Sequence, residues 1–375
     1  MNGAPGLRDA VPHKVEGRPQ SRHVAAPTRI RPIPVVIDTD PGLGEPGSDV
    51  DDGFAIAFAL RSPELDLRGL TIVNGNVDAP TGYAVARRLR ERLGRLDLPV
   101  RLGATRPLRR DMAPVHALFE AVLAGNPGLA RPRSEPLAPP PGEEDAAAFL
   151  VREAARAPGE LVVVAIGPMT NLALALDRDP AFAAKVREFV VMAGSAATYA
   201  QNVTVVGDFN AYVDPEALDR LLRSGARVRM VGLDQTSRCL FTRADAAAMR
   251  AAGDPFGAWA ADCSDAWIDF LAQAFPSRPE HRTGFFLHDP LVVAAVIDPA
   301  VCTWEEAAVE VELTSDLARG LVVADRGLAL KPRGPANATV AVATDVARFR
   351  RLFLDRIAQA PQEAEPAPSG RGGNP

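Results

Sequence analysis

The sequence predicts an α/β fold: an open, mostly parallel sheet with helices on both faces and a few antiparallel strands near the C-terminus. Three observations carry this reading. Short apolar runs alternate with helical patterns between residues 34 and 233, the rhythm of repeated βαβ units. The first run, Val35-Val36-Ile37, is apolar at successive positions, as in a strand covered on both faces. Clusters of polar residues fall where the predicted strands end, which is where open α/β sheets hold ligands.

In chain order, strands are expected at residues 34–38, 67–73, 99–103, 160–166, 188–193 and 228–233. Helices are expected at 51–61, 81–93, 145–157, 171–176 and 215–222. Residues 131–144 hold many prolines, including Pro139-Pro140-Pro141, and read as a loop or a small hinge. Residues 251–286 read as helical, with Trp259 and Trp267 near the start. Residues 307–313 and 320–324 read as antiparallel strands, with 338–343 as a third. Residues 1–31 and 359–375 lack hydrophobic periodicity and are expected to be disordered tails around one domain, 32–358.

The bulk numbers narrow the function classes. The chain has 375 residues, 47% of them hydrophobic, enough for a sizeable core. A formal charge of −5 gives no general basic field for nucleic acid. No apolar run is long enough to cross a membrane, and the N-terminus lacks a signal-type apolar segment, so a cytoplasmic protein is expected. Three widely spaced cysteines (Cys239, Cys263, Cys302) form no CxxC pair and point to neither a zinc site nor a disulfide framework.

The chemistry concentrates after the first strand. Asp38, Asp40, Asp49, Asp51 and Asp52 flank one Pro/Gly-rich loop. A helix N-cap explains one Asp; five like charges ask for a hard cation such as Ca²⁺ or Mg²⁺. Four further clusters are each ambiguous alone. Asn74-Gly75-Asn76 is a turn or a pocket edge. In Gly167-Pro168-Met169-Thr170-Asn171, Thr170 is a helix cap or a group at the mouth of the sheet. Asn202 with Gly207-Asp208-Phe209-Asn210 is an irregular loop, or a set of amides and a carboxylate suited to a sugar. In His288-Asp289-Pro290, Asp289 is an N-cap before proline or a ligand.

Taken in order, these five pieces resemble the inosine-uridine-preferring nucleoside hydrolase family. The Asp-x-Asp-Pro-Gly followed by Asp-Asp is the most specific element, and the resemblance spans roughly residues 34–350. It implies an open α/β sheet with Ca²⁺ at its C-terminal edge, hydrolysis of the N-glycosidic bond of ribonucleosides, and a homodimer or homotetramer. Carried over position by position, it implies that Asp40, Asp52, Asp289 and the Thr170 carbonyl hold the metal. Asp40 would take a proton from a calcium-bound water. Asp51 would bind the ribose 2′-hydroxyl, and Asn76, Asn202, Asp208 and Asn210 the other sugar hydroxyls. His288 would protonate the leaving base.

The chain departs from the family pattern at four places. Leu43-Gly44-Glu45-Pro46-Gly47-Ser48 lengthens the acid loop, which bulges outward, displaces Asp51 or brings Glu45 to the pocket. Asp208 stands where the family usually has Glu. Arg109-Arg110 replaces a His-Gly motif after the third strand, and the His common after Thr236 is missing. Base selectivity is expected near Glu45 and in residues 259–286. Three alternatives stay open: a nucleoside- or ribose-binding protein without turnover, a hydrolase of a modified N-riboside, and, ranked low, a phosphatase built on Asp38-Thr39-Asp40. The last wants a lysine near the phosphate, and the chain has only Lys14, Lys185 and Lys331.

Overall fold

The structure, a computed structural model, describes residues 31–200 and 202–358. The expected tails therefore lie outside the described residues. The sheet has nine strands: β1 (Ile33–Thr39), β2 (Leu65–Ile72), β3 (Val100–Leu102), β4 (Val162–Ala165), β5 (Glu188–Met192), β6 (Val228–Val231), β9 (Cys302–Val311), β10 (Val322–Asp325) and β11 (Ala338–Thr344). β7 (Leu240–Thr242) and β8 (Gly284–Phe286) form a separate antiparallel pair. The spatial order is β3-β2-β1-β4-β5-β6-β11-β9-β10. Every pairing from β3 to β11 is parallel, and β9 runs antiparallel to both β11 and β10.

The apolar runs explain the layering. Side chains alternate between the faces of a strand, so Val35 and Ile37 join one core and Val36 the other. β4 divides likewise, with Val162 and Val164 on one face and Val163 and Ala165 on the other. Helices Asp51–Leu60, Ala79–Arg92, Pro255–Ala274, His288–Ile297 and Val346–Ile357 supply the first core. Ala146–Arg156, Thr170–Arg178 and Pro215–Arg223 supply the second.

This order creates the site. The chain moves outward from β1 through β2 to β3, then returns to β4 on the other side of β1. The strand order reverses between β1 and β4, and such a switch point leaves a crevice at the carboxyl ends of the strands. Asp38-Thr39-Asp40 leave β1 there, and Gly167-Pro168 follow β4.

One expectation needs correction. Residues 251–286 are not helical throughout: the helix is Pro255–Ala274, followed by a 3₁₀ turn, Pro279–Arg282, and by β8. Pro279 and Gly284 interrupt the periodicity. The third C-terminal strand, β11, is antiparallel to β9 as expected and also parallel to β6, so it joins the antiparallel strands to the parallel ones. The helix Ala113–Gly125 was not expected; it has no fully buried residues, and Phe119, Val122 and Leu123 pack only partly buried against the first core.

Candidate active site

The acid loop folds around cramped glycines. Gly44 and Gly47 adopt positive φ, 94° and 71°, which a side chain resists. At Gly42 a Cβ would lie 1.7 Å from Ser48 Oγ. The loop is largely buried, with Gly47 and Ser48 lining the central cleft, and Glu45 turns away from that cleft. Its carboxylate accepts from the Ser134 N–H at 3.0 Å and from the Ser134 hydroxyl, and pairs with Arg88 at 3.2 Å. The lengthened loop is thus pinned to the proline-rich segment, and Asp51 and Asp52 stay in the helix that follows.

These acids are not helix caps. The helix Asp51–Leu60 has Val50 at its N-cap position and no side-chain cap, while Asp51 and Asp52 occupy its first turn, buried. Asp289 likewise lies inside the first turn of His288–Ile297, after Leu287 at the cap position. Carboxylate oxygens of Asp51, Asp52 and Asp289 all lie within 4.8 Å of one another, within reach of one cation. Asp51 Oδ2 accepts from the Asp289 N–H at 3.0 Å. Asp52 Oδ1 accepts from the Thr39 hydroxyl and from the Asp40 N–H at 3.2 Å.

Asn76 ties the acids together. Its N–H donates to Asp40 Oδ2 at 2.7 Å, and its amide donates to Asp52 Oδ2 at 2.9 Å. Asp40 sits in a slot between two glycines. A Cβ at Gly75 would lie 1.8 Å from Asp40 Oδ2, and one at Gly167 would lie 2.8 Å from Asp40 Oδ1. Asp38 has a structural place instead: its Oδ1 accepts from Thr71 and Asn171, at 2.5 and 2.8 Å, joining β1, β2 and the helix after β4.

Burial and mutual repulsion push these carboxyls upward. Asp40, Asp51 and Asp289 are held well above the usual carboxylate range, by burial first and by neighbouring carboxylates next. Burial also raises Asp52, and lifts Asp49 to about 6. So much negative charge out of water is unfavourable unless it is offset. The donor set fits a hard divalent cation, which prefers carboxylate and carbonyl oxygens.

The acids floor a cleft of about 1010 Å³, counting the space at its mouth. Asn76, Asn202, Asn210, Asp51, His288 and Asp289 line it. Asn210 donates to the carbonyls of Ile166 and Met192, at 2.7 and 3.0 Å, which fixes its amide at the ends of β4 and β5. Asn202 Oδ1 is buried and has no hydrogen-bond partner among the described residues. His288 Nδ1 lies 2.7 Å from the Thr236 hydroxyl. Burial lowers this imidazole to about 4, so it is neutral at physiological pH.

Four expected site residues lie off the cleft lining: Asp40 and Asp52, held beneath it by Asn76, and Asp208 and Thr170. Asp208 is buried and caps the helix Phe209–Val213; its oxygens accept from the Ala211 and Gly194 N–H groups at 2.9 and 2.7 Å. Burial raises it to about 7, against those two hydrogen bonds. The Thr170 hydroxyl donates to Asp214 at 2.7 Å. Arg110 pairs with Glu216 at 2.7 Å, and neither it nor Arg109 lines the cleft. Lys185 pairs with Asp179 and Lys331 is exposed; among the described residues no lysine lines the cleft, as the phosphatase reading would want, and Lys14 lies outside the described residues. Base selectivity was expected in residues 259–286 without individual site residues; from that segment Trp267, Phe275, His281 and Phe286 wall the cleft.

Fold and site define an α/β enzyme with an acidic centre at a sheet switch point. Comparison with known proteins places it further. The family model for inosine-uridine preferring nucleoside hydrolase matches residues 35–351. A probable uridine nucleosidase 1 of Oryza sativa is 34% identical over 295 residues, 78% of this chain and 85% of that protein. The pyrimidine-specific ribonucleoside hydrolase RihA of Salmonella typhimurium is 32% identical over 329 residues, 87% of this chain and 98% of that protein. Among solved structures, the plant nucleoside hydrolase PpNRh1 superposes with a TM-score of 0.74 at 30% identity, covering 88% of this chain and 99% of that one. A purine-preferring ribonucleoside hydrolase from Gardnerella vaginalis superposes with a TM-score of 0.73 at 32% identity, covering 87% and 98%. The chain belongs to the inosine-uridine preferring nucleoside hydrolase family; it is an enzyme that cleaves the N-ribosyl bond of ribonucleosides. Among the described residues no helix is long and apolar enough to cross a membrane.

Proposed function

We propose that this protein is a Ca²⁺-dependent ribonucleoside hydrolase that releases ribose and a free base. The observation that carries the reading is the meeting of Asp51, Asp52 and Asp289 within reach of one ion, on the floor of a cleft that also presents Asn76, Asn202, Asn210 and His288. Asp40, Asp52, Asp289 and the Thr170 carbonyl are the proposed metal ligands. Bound there, Ca²⁺ would acidify and orient a water and anchor ribose hydroxyls.

The chain's own residues supply the rest. Breaking an N-glycosidic bond builds positive charge on the ribose, as in O-glycoside cleavage, and the buried carboxylates stabilise that charge as it develops. Asp40, held from both sides by Gly75 and Gly167 and by the Asn76 N–H, accepts the proton of the attacking water. Asp51 binds the 2′-hydroxyl, and Asn76, Asn202 and Asn210 orient the remaining hydroxyls. Asp208 stays in the sugar-binding set by resemblance; its hydrogen bonds to Gly194 and Ala211 support a role in shaping the loop that carries Asn210. His288 is neutral, so it assists departure of the base as a hydrogen-bond donor from Nε2 when the Thr236 hydroxyl donates to Nδ1. A cytoplasmic homodimer or homotetramer completes the reading, by resemblance.

The course of the lengthened loop supports turnover over mere binding, because the inserted residues leave Asp51, Asp52 and Asp289 together. The test is ribose release from purine and pyrimidine nucleosides, with calcium and after chelation, alongside Asp40→Ala. Release that requires calcium and fails in the variant is the expected result. A wild-type protein that binds calcium and nucleoside yet releases no ribose would overturn it.

A further inference from the structure

Asn76 grips Asp40 through its backbone and Asp52 through its side chain, so the direction of its N–H governs where the Asp40 carboxylate points. That N–H belongs to the Gly75–Asn76 peptide. A trans peptide is planar, with its C=O and N–H pointing opposite ways. Whatever fixes the Gly75 carbonyl therefore also aims the Asn76 N–H. Gly75 itself adds little restraint, because a residue without a Cβ leaves its backbone free to turn. Within the turn the Gly75 N–H donates to the Val77 carbonyl at 3.2 Å, which does not engage the Gly75 carbonyl.

The partner of that carbonyl comes from a distant element. His116 Nε2 lies 3.1 Å from the Gly75 oxygen, 41 positions away in sequence. A carbonyl oxygen only accepts, so Nε2 carries the proton and donates. His116 sits in the first turn of the helix Ala113–Gly125, where its N–H donates to the Met112 carbonyl at 3.1 Å. Residues three apart share a helix face, so His116 reaches the peptide that grips Asp40 while Phe119 lines the cleft. One line of hydrogen bonds results: His116 Nε2–H to the Gly75 carbonyl, then the Asn76 N–H to Asp40 Oδ2 at 2.7 Å. Bonds in such a line polarise and strengthen one another.

On the reading that Asp40 takes the proton of the attacking water, we infer that His116 is a positioning residue for Asp40. His116 does not line the cleft; it acts through the Gly75–Asn76 peptide. Without the imidazole N–H the peptide turns more freely, Oδ2 loses its fixed donor, and the carboxylate spends time in orientations that cannot take the proton. Sugar binding is largely spared. The Asn76 amide still has Asp52 as its acceptor, and Asn210 is fixed on the carbonyls of Ile166 and Met192. The loss therefore falls on kcat rather than on KM.

The test uses the full-length protein with His116→Ala, His116→Gln and His116→Glu. Alanine, glutamine and glutamate are all good helix formers, so none of these changes breaks the helix. Glutamine offers an N–H near the place of Nε2, whereas ionised glutamate has similar length and only accepts. Expected for Ala and Glu is a fall in kcat of about tenfold, the scale of one lost hydrogen bond. KM should stay within about twofold of wild type, well inside that window. His116→Gln should keep kcat within about threefold, because a donor is restored. Calorimetry adds a readout that needs no turnover: Asp40 is also a proposed ligand, so His116→Ala should bind calcium several-fold more weakly than His116→Gln. A kcat for His116→Ala within about twofold of wild type, equal kcat for Gln and Glu, or a KM that rises as far as kcat falls would overturn the inference. The two readings fail differently. Wild-type turnover with an unaffected His116→Ala refutes the positioning role alone. A wild-type protein with no turnover on any nucleoside refutes the role of Asp40 as base; equal calcium affinities of the Ala and Gln variants would then refute the positioning as well.

Discussion

Gly75→Ala should silence the enzyme while leaving it folded. The added Cβ would lie 1.8 Å from Asp40 Oδ2, 2.7 Å from the carboxyl carbon and 3.0 Å from the Asp40 Cβ. Non-bonded heavy atoms settle at roughly 3.5 Å, so the groups must part by about 1.5 Å or more. Asp40 has little room to retreat: it is 1% exposed, Gly167 closes the other side at 2.8 Å from Oδ1, and the Asn76 N–H holds Oδ2 at 2.7 Å. A misplacement of about 1 Å at a reacting group costs about a hundredfold in rate, or about 2.7 kcal/mol of barrier. The overpacking itself should cost about 1–3 kcal/mol of stability. The assay is ribose release across substrate concentrations, with urea unfolding in parallel. Gly82→Ala is the control, because its Cβ would meet only side-chain atoms at 3.2–3.6 Å, and alanine is favoured over glycine inside a helix by about 1 kcal/mol. A Gly75→Ala enzyme whose kcat/KM stays within about threefold of wild type, far from the expected hundredfold, would refute the slot argument.

Other perturbations test the parts separately. Calcium at about a thousandfold over its Kd should stabilise the chelated protein by about 4 kcal/mol, read as a rise in Tm; superimposable melting curves would count against the metal site. Thr39→Val removes the hydroxyl donor to Asp52 and should cost about 1.5–3 kcal/mol. It should also change calcium affinity by calorimetry, and an unchanged affinity would place Asp52 outside the ligand set. Glu45→Gln weakens the tie to Arg88 and Ser134 and should raise KM with kcat nearly constant, whereas a fall in kcat alone would show that the loop acts on the acids. Asn171→Asp sets a carboxylate against Asp38 and should destabilise by more than about 3 kcal/mol in urea; a loss under about 1 kcal/mol would show that the pair separates freely.

Much of the fold was legible because its strands declare themselves. Val35-Val36-Ile37 is apolar at each position, which only a strand buried on both faces requires, and the two cores receive these side chains alternately. Legibility failed where periodicity is uninformative. Residues 255–274 carry a helical pattern, but the short β8 beyond them depends on pairing with β7, a contact to a strand about 40 residues away, from Leu240 to Phe286. The helix Ala113–Gly125 has only a half-buried face, of Phe119, Val122 and Leu123.

In the site, residue types and their order were legible and their duties were not. Along the chain, Asp289 reads as a cap or a ligand, Asp208 as part of an irregular loop or a sugar site, and Asp51 and Asp52 as members of an acid cluster that asks for a cation. The structure makes Asp208 a cap and gathers the other three within one ion's reach, because β1 and the helix His288–Ile297 converge on one end of the sheet. His281 is an isolated histidine in sequence; only packing shows that its Nδ1 is buried without a partner.

The sequence by itself determined the class of sheet, the acidic centre and the family, since strand burial and clustered charge are local properties of residue order. Tertiary structure decided which acids lie within reach of one cation, where Glu45 turns and which buried polar atoms have no partner among the described residues. Those depend on distances between segments up to 238 positions apart, such as Asp51 and Asp289, and on water being excluded from between them.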